Sequence, residues 1–360
     1  MKIAILSMQR IVNFGSVLQA YSLREILREL TGAQVSFLDI AREPALPSRK
    51  SVSDKVDYEE PAAYPPGILQ RGKRWIIARL SAKNKRLIRA FMEKELGLKD
   101  DANAQHYDCV IVGSDEVFNH KNGVCLQLHG DIRQAERLFT YAASCGSAVQ
   151  SDIAEEDLET VRAAMNRFSA MSVRDAATES YLSGLYHGSV VRHFDPVLVG
   201  NLHMRDHRPV PLKNYLLVYA YGQRIRTKEE IDAIRAFAKK KGLKTVAIGG
   251  SQFWCDLYLP VSPMRMLDYF HYADYVVTDT FHGTIFSVIN RKQFAVISRK
   301  TNRAKIGSLL QDLRLTDRLI SKTEELEQVL IKPVSYEQTD EILSEERRRT
   351  REYLKSCLNV

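Results

Sequence analysis

Along most of this chain, two spacings of apolar residues alternate: short uninterrupted runs, and a recurrence every three to four positions. Short apolar runs occur near the start and at 33–40, 107–112, 139–143 and 170–173. Such uninterrupted runs are typical of strands buried on both faces of a parallel sheet. Between them, apolar residues recur every three to four positions, as at 16–30, where Ser16 is the expected helix cap. The pattern therefore predicts alternating strands and helices, the organisation of an α/β fold.

The same alternation resumes after a polar, proline-containing stretch, which divides the chain. The second set of predicted strands lies at 215–221, 244–248, 275–277 and 293–298. We predict two Rossmann-like doubly wound domains that face a cleft, at 1–200 and 210–335. A helix at 337–358 is expected to pack back on the first domain. The Pro-rich segment 41–72 is expected to be a long surface excursion.

Polar residues follow several of these predicted strands at the point where each strand ends. One run leads through Ser114 and Asp115 to Asn119, another ends at Ser144, and a third ends at Arg174. In the second half, the run at 275–277 leads into Thr-Asp-Thr-Phe-His-Gly-Thr at 278–284. Ligands of open α/β sheets bind at the carboxyl ends of the strands, and a following helix start attracts anions. Helix capping and turn formation are the competing interpretations of these residues.

Composition narrows the class of protein without choosing a function. The 360 residues are 45% hydrophobic and 27% charged, which is typical of globular proteins, and no apolar run approaches a membrane span. The apolar start is too short for a signal peptide. Five scattered cysteines without a Cys-x-x-Cys pair, and histidines without ligand spacing, predict neither a disulfide framework nor a metal site. A reducing cytoplasm is the expected compartment.

The net charge of +8 is concentrated in one segment. Residues 71–99 contain ten Lys or Arg against two Glu. A solvated basic helix explains this composition, and attraction to an anionic membrane surface or a lipid-linked diphosphate is the alternative. Nucleic acid is not an expected partner, because no recognised nucleic-acid module accompanies the charges.

Seven short motifs follow one another along the chain. They are Asn-Phe-Gly-Ser-Val-Leu-Gln-Ala-Tyr at 13–21, Val-Gly-Ser-Asp-Glu-Val-Phe-Asn at 112–119, Tyr-Ala-Ala-Ser-Cys-Gly at 141–146, Ser-Val-Arg-Asp at 172–175, Asp-Pro at 195–196, Thr-Asp-Thr-Phe-His-Gly-Thr at 278–284 and Asn-Arg at 302–303. In this order and spacing, the motifs resemble the polysaccharide pyruvyl transferase family. Glu116 departs from the Gln that many relatives carry at this position.

The resemblance implies a fold similar to the glycosyltransferase-B type and a role in cell-surface polysaccharide biosynthesis. It implies transfer of the pyruvyl group of phosphoenolpyruvate to two hydroxyls of a glycan or lipid-linked sugar, giving a cyclic ketal and phosphate. No obligatory metal or organic cofactor is implied, and the enzyme would act in the cytoplasm or at the inner face of the membrane.

That reaction needs a proton donor, a base and cationic groups for the donor's carboxylate and phosphate. His282, Asp115 and Arg174 are the candidate catalytic residues. Neutral groups predicted to bind the substrates are Asn13, Gly15, Ser114, Asn119, Ser144, Thr280, Gly283 and Thr284. For Arg174, an ion pair with Asp175 or Asp195 is the structural alternative.

Two other functions fit the same predicted architecture, because fold alone does not define function. One is a glycosyltransferase that uses a nucleotide sugar, and the other is a non-catalytic module that binds a sugar or a nucleotide. Stabilisation by a nucleoside diphosphate, and not by phosphoenolpyruvate, would distinguish the first of these from a pyruvyl transferase.

Overall fold

The computed structural model describes residues 1–40, 46, 69–98, 106–120, 123–222 and 224–360, with only the backbone of 69–74. Its strands form two six-stranded sheets, which confirms the α/β prediction. The first sheet contains β1 (Ile3–Leu6), β2 (Val35–Phe37), β3 (Tyr107–Asp115), β4 (Ala135–Ala143), β5 (Met171–Val173) and β6 (Val190–Arg192). The second contains β7 (Tyr215–Ala220), β8 (Lys244–Gly249), β9 (Leu257–Tyr258), β10 (Tyr275–Thr278), β11 (Gln293–Ile297) and β12 (Leu319–Ile320).

Helices connect and cover these strands. In the first half they are α1 (Phe14–Thr31), α2 (Leu69–Glu95), α3 (Glu155–Met165), α4 (Ala176–Leu182) and α5 (Pro196–Val199). In the second half they are α6 (Lys228–Lys240), α7 (Pro263–Tyr272), α8 (Phe281–Ile289), α9 (Arg303–Asp312), α10 (Leu326–Ile331) and α11 (Glu337–Leu358). No helix in the described ranges is long and apolar enough to cross a membrane.

In each sheet, the side to which successive strands are added changes once along the chain. The cleft lies at the position of this change. The first sheet has the order β2-β1-β3-β4-β5-β6, so the chain moves to opposite sides of β1. The second has the order β12-β11-β10-β7-β8-β9, with the same reversal at β7. All pairs between these strands are parallel. The β1/β3 and β7/β10 positions are therefore topological switch points, where loops separate and leave a crevice.

A shared apolar core joins the two halves. One cluster of buried residues includes Ile5 and Leu27 from the first half and Phe286 from α8 in the second. Helix α5 adds three apolar side chains to the same cluster, those of Val197, Leu198 and Val199. This short helix contacts both α1 and α8, and α11 contacts α1 and α5. The cleft therefore lies between two halves that share one core.

Helix α11 returns from the second half to the first sheet. Its Tyr353 hydroxyl donates to the carbonyl of Thr140 at 2.9 Å, and Thr350 Oγ1 lies 3.0 Å from the Tyr141 hydroxyl. Because these contacts are made to β4, the last helix holds the two halves together from behind the cleft.

Two local predictions need correction. Ser16 does not cap the first helix: Asn13 does, with its Oδ1 accepting from Ser16 N at 2.7 Å, so the helix begins at Phe14. The strand expected at 107–112 continues to Asp115, because Gly113 and Asp115 pair with β4. The excursion predicted at 41–72 lies outside the described residues, except for Leu46, which bridges Val124, and the start of α2.

Candidate functional site

A cavity of about 530 Å³ lies where the carboxyl edges of the two sheets face each other. From the first half it is lined by residues that end or follow β1, β3 and β5, including Asn13, Asp115 and Arg174. From the second half it is lined by residues that follow β7, β10 and β11, including His282 and Lys305. Both switch points therefore open into one cavity, within the size range of small-molecule sites.

The first turns of α1 and α8 both border this cavity. Thr280 caps α8, and its Oγ1 accepts from Gly283 N at 2.9 Å, as Asn13 does for α1. Neither helix has an acidic residue in its first turn. Because the start of a helix carries partial positive charge, the two helix starts favour an anionic ligand.

Arg174 is held between the halves by a buried carboxylate and an aromatic ring. Its Nη1 lies 3.3 Å from Asp195 Oδ2, and its guanidinium carbon lies 4.3 Å from the centre of the Phe281 ring. The side chain is only 4% exposed. Burial opposes its charge, but Asp195 and Asp115 outweigh burial and raise the pKa of Arg174. Arg174 is therefore a cation that Asp195 and Phe281 hold in a fixed position at the cavity wall.

His282 shares the same carboxylate. Its Nε2 lies 3.4 Å from Asp195 Oδ2, without the alignment of a hydrogen bond. Asp195 is fully buried, which alone would raise its pKa, but His282 and Arg174 lower it, together with the backbone N–H of Val197. Asp195 therefore remains ionised and positions both the arginine and the imidazole.

Gly15 makes the position of His282 possible. A Cβ added at this glycine would lie 2.2 Å from His282 Nδ1, so the first turn of α1 lies directly against the ring. Only glycine leaves room for the ring at this contact between the halves.

Asp115 presents a carboxylate from the end of β3. Its Oδ2 accepts from Ser16 Oγ at 2.7 Å, and its Oδ1 lies 3.9 Å from Arg174 Nη1. Its backbone has φ of +76°, in the left-handed region that non-glycine residues seldom adopt. Strained backbone conformations of this kind are concentrated at functional sites. They give a side chain a direction that it would not have in a regular strand.

A second ion pair crosses the cavity. Lys305 Nζ, on α9, donates to Glu116 Oε1 at 2.7 Å, and Asn119 Nδ2 donates to Glu116 Oε2 at 3.0 Å. Burial raises the pKa of Glu116, but Lys305 and Arg174 outweigh it and lower the pKa to about 2. Glu116 is therefore ionised at neutral pH and holds Lys305 in place.

Arg224 adds a third cation from the loop after β7. Its Nε lies 3.2 Å from Asp279 Oδ2, and its Nη2 donates to Thr301 Oγ1 at 2.8 Å. Arg299 shares Asp279 from behind, with its Nε at 3.1 Å from the same oxygen. Burial raises the pKa of Asp279, and the two arginines oppose this. The carboxylate thus fixes Arg224 at the cavity wall.

The cavity brings together some of the predicted site residues and not others. Those that line it are Asn13, Asp115, Asn119, Arg174, Thr280 and His282. Those that do not line it are Gly15, Ser114, Ser144, Gly283 and Thr284. The three hydroxyl groups of this second set are used within the protein. Ser114 and Ser144 donate to Asp195 and Asp175, and Thr284 donates to the carbonyl of Thr280.

Gly283 has a steric role. Its N–H is capped by Thr280, and a Cβ would lie 2.1 Å from Thr278 Oγ1. The glycine therefore permits tight packing between β10 and the start of α8.

Several charged residues of the cavity are absent from the sequence-based prediction. Glu116, Arg224 and Lys305 are not among the predicted site residues, and Asp195 is expected only as a possible partner of Arg174. The signal for Lys305 is its position just after the Asn-Arg motif at 302–303. Arg224 has no comparable signal, because it lies in an irregular loop.

Four polar atoms at the cavity or directly behind it have no hydrogen-bond partner among the described residues. They are Arg174 Nε, Asp279 Oδ1, His282 Nε2 and Asn302 Oδ1. Buried polar groups in folded proteins are nearly always paired, so this concentration is typical of a functional site. No group of His, Cys, Asp and Glu suited to a metal occurs in the part of the chain that the structure describes.

The fold and its cleft define a protein of the glycosyltransferase-B architecture. A UDP-N-acetylglucosamine 2-epimerase aligns over 98% of this chain and 95% of its own, with 12% identity and a TM-score of 0.52. The UDP-GlcNAc 2-epimerase of Neisseria meningitidis, bound to UDP-GlcNAc, aligns over 99% of this chain and 100% of its own, with 12% identity and a TM-score of 0.50. At these identities the likeness concerns the fold alone.

The sequence profile of the polysaccharide pyruvyl transferase family matches residues 13–301, which is most of the chain. The chain belongs to this family. A search of the curated proteins found no match.

Proposed function

We propose that this protein transfers the pyruvyl group of phosphoenolpyruvate to two hydroxyls of one sugar in a glycan or lipid-linked acceptor. The products would be a cyclic pyruvate ketal and inorganic phosphate. The observation that carries the proposal is the set of side chains in one cavity: the cations Arg174, Arg224 and Lys305, the imidazole of His282, and the carboxyl groups of Asp115 and Glu116. Family membership supports a transferase that acts on polysaccharide.

The donor carries a carboxylate and a phosphate, and the cavity offers cations for both. We assign the carboxylate to Arg174, whose planar guanidinium suits a bidentate anion. We assign the phosphate to the starts of α1 and α8, together with Arg224 and Lys305. The donor would then lie with its C2–C3 double bond near His282.

The proposed reaction begins with a proton. His282 donates it to the methylene carbon C3, which becomes the methyl group, while positive charge develops at C2 and is stabilised by the carboxylates nearby. A sugar hydroxyl attacks C2 and loses its proton to Asp115. The C2–O bond to phosphate then breaks, phosphate leaves with the electron pair, and the second hydroxyl attacks C2 and closes the ketal. Its proton goes to the departing phosphate or to solvent.

Asp195 has a positioning role in this scheme. Its Oδ2 is 3.3 Å from Arg174 and 3.4 Å from His282, so one ionised carboxylate orients both groups toward the donor. Asp115, with its Oδ2 held by Ser16 Oγ, is ordered to meet the acceptor hydroxyl.

Ligand-dependent thermal unfolding tests the donor assignment. Wild type, Arg174→Ala and His282→Ala would be titrated with phosphoenolpyruvate, inorganic phosphate and uridine diphosphate. We expect stabilisation by phosphoenolpyruvate, about 2.7 kcal/mol at one hundred times Kd, and its loss in Arg174→Ala. Arg167→Ala is the matched control, because Arg167 pairs with Asp131 away from the cavity. Phosphate release from phosphoenolpyruvate, with a panel of glycan acceptors, then tests turnover.

Stabilisation by uridine diphosphate alone would contradict the proposal and favour a glycosyltransferase that uses a nucleotide sugar. The remaining outcome is that phosphoenolpyruvate binds but no phosphate is released with any glycan acceptor, and that His282→Ala changes no measured activity. This outcome would favour a non-catalytic module.

A further inference from the structure

A second cavity, of about 320 Å³, adjoins the candidate active site. It lies between α2 and the loops that follow β7 and β8. The two cavities share Asn13 and Tyr221 in their linings. A ligand that extends beyond the first cavity at these two residues would therefore enter the second.

The floor of the second cavity is bare backbone. Gly222 follows β7, and Gly249 and Gly250 end and follow β8. A Cβ at Gly250 would lie 2.1 Å from Gly222 N, so the two loops are in contact at this point. The short distance leaves no space for a side chain at Gly250. Gly249 has φ of +93°, a conformation that favours glycine. The glycines keep space open that ordinary side chains would fill.

Aromatic rings and neutral polar groups form the walls. Tyr221 is 53% exposed, and Tyr258 is half-buried. Asn84 is only 5% exposed, and its Oδ1 accepts from Val261 N at 3.2 Å. An asparagine amide carries two N–H donors, which suit the hydroxyl oxygens of a sugar.

The charge of this lining differs from that of the first cavity. Lys85, exposed on α2, is its one cation, and no acidic side chain lines it in the described ranges. A nucleoside diphosphate held within this cavity alone would find one rim lysine to neutralise its phosphates. A sugar ring has apolar C–H faces and a rim of hydroxyls, which suit aromatic faces beside amide and hydroxyl groups.

We propose that the second cavity binds the sugar residue next to the one that receives the pyruvyl group. The acceptor is then at least a disaccharide, with its reacting sugar in the first cavity and its neighbour between Tyr221, Tyr258 and the glycine floor. This proposal rests on the proposed function for the ligands of the first cavity.

Gly222→Leu is the variant that tests the second cavity. Gly222 lines the cavity, and the nearest atom to a Cβ at this position is Ser251 Oγ at 4.0 Å, so the first atom of the leucine side chain meets no backbone. Tyr258→Ala removes a wall instead. Gly307→Leu is the matched control, because its Cβ meets nothing within 4 Å and it lines neither cavity.

Binding of methyl β-glucoside against methyl β-cellobioside, and of methyl β-galactoside against methyl β-lactoside, would be measured by calorimetry with inorganic phosphate in place of phosphoenolpyruvate, so that no transfer takes place during the titration. We expect at least one disaccharide to bind wild type and Gly307→Leu about tenfold more tightly than its monosaccharide. Both cavity variants should lose this gain and keep their affinity for the monosaccharide. No disaccharide gain in wild type, or a gain that survives Gly222→Leu, would overturn the proposal.

Two further measurements separate this proposal from the proposed function. Stabilisation by phosphoenolpyruvate reports the first cavity and should be equal in wild type and Gly222→Leu. Stabilisation by uridine diphosphate that Gly222→Leu abolishes would assign the second cavity to a nucleotide and overturn the sugar proposal.

Discussion

The ion pair between Glu116 and Lys305 offers a quantitative test of how the cavity is held together. Glu116→Gln keeps the size of the side chain and removes its charge, so Lys305 loses the carboxylate that lies 2.7 Å away. Asn119 can still donate to the remaining carbonyl oxygen. The change also introduces the residue that the family resemblance leads one to expect at this position.

The pKa of Glu116 gives the size of the effect. The fall from 4.5 to about 2 corresponds to about 3 kcal/mol, at 1.36 kcal/mol for each pKa unit. Both side chains retain contact with water, with 29% and 26% of their surfaces exposed, and water weakens such pairs. We therefore expect Glu116→Gln to lower the free energy of unfolding by about 1–2 kcal/mol at pH 7.

The pH dependence has a definite sign. Because folding lowers the pKa of Glu116, its contribution is complete above about pH 4.5 and is lost as the pH falls toward 2. The difference in the free energy of unfolding between wild type and Glu116→Gln should become smaller over the same pH interval. Urea unfolding followed by tryptophan fluorescence at pH 7, 5 and 3.5 measures it.

Two comparisons control this experiment. In a double-mutant cycle with Lys305→Gln, most of the loss should appear as coupling between the two residues. Glu345→Gln, in an exposed pair with Arg348, should leave stability unchanged. Equal stability of Glu116→Gln and wild type at pH 7, or a difference that persists undiminished at pH 3.5, would refute the reasoning.

Two further predictions concern the packing of His282 and the surface of α2. Gly15→Ala should displace the His282 ring and abolish phosphate release while the protein stays folded. The control, Gly307→Ala, should leave the rate of phosphate release unchanged. An active Gly15→Ala enzyme would contradict the role assigned to the ring. Reversal of four exposed cations of α2 to Glu should weaken sedimentation with anionic liposomes, by about 1 kcal/mol for each cation that lies near the surface, and unchanged sedimentation would exclude membrane contact through this face. The four residues are Lys83, Lys85, Arg86 and Arg89.

The sequence predicted the parts of this structure that depend on local pattern. Uninterrupted apolar runs indicated the parallel strands, and the polar residues after them indicated the edge of the sheet that carries the cavity. Asp115, Arg174 and His282 could be selected because each lies at or just after the end of a strand. The position of a residue at a strand end, however, does not determine the direction of its side chain.

Ser144 and Thr284 illustrate this limit. Both occur where a ligand-binding residue is expected, but Ser144 donates to Asp175, and Thr284 donates to the backbone of Thr280. Lys305 shows the converse limit, because it lines the cavity without being among the predicted site residues. It follows β11 only after an irregular loop, and its partner Glu116 is 189 positions away in the sequence. Such contacts depend on how the halves meet, which no local pattern encodes.

The contacts between the halves also determine the chemistry of the cavity. Arg174 and Asp195 come from the first half, whereas His282 and Phe281 come from the second, and all four meet within one buried cluster. Separation of the halves would remove His282 from Asp195 and Lys305 from Glu116 together. Neither half alone therefore holds both a fixed arginine and an oriented histidine, and the shared core through α5 is what makes the site possible.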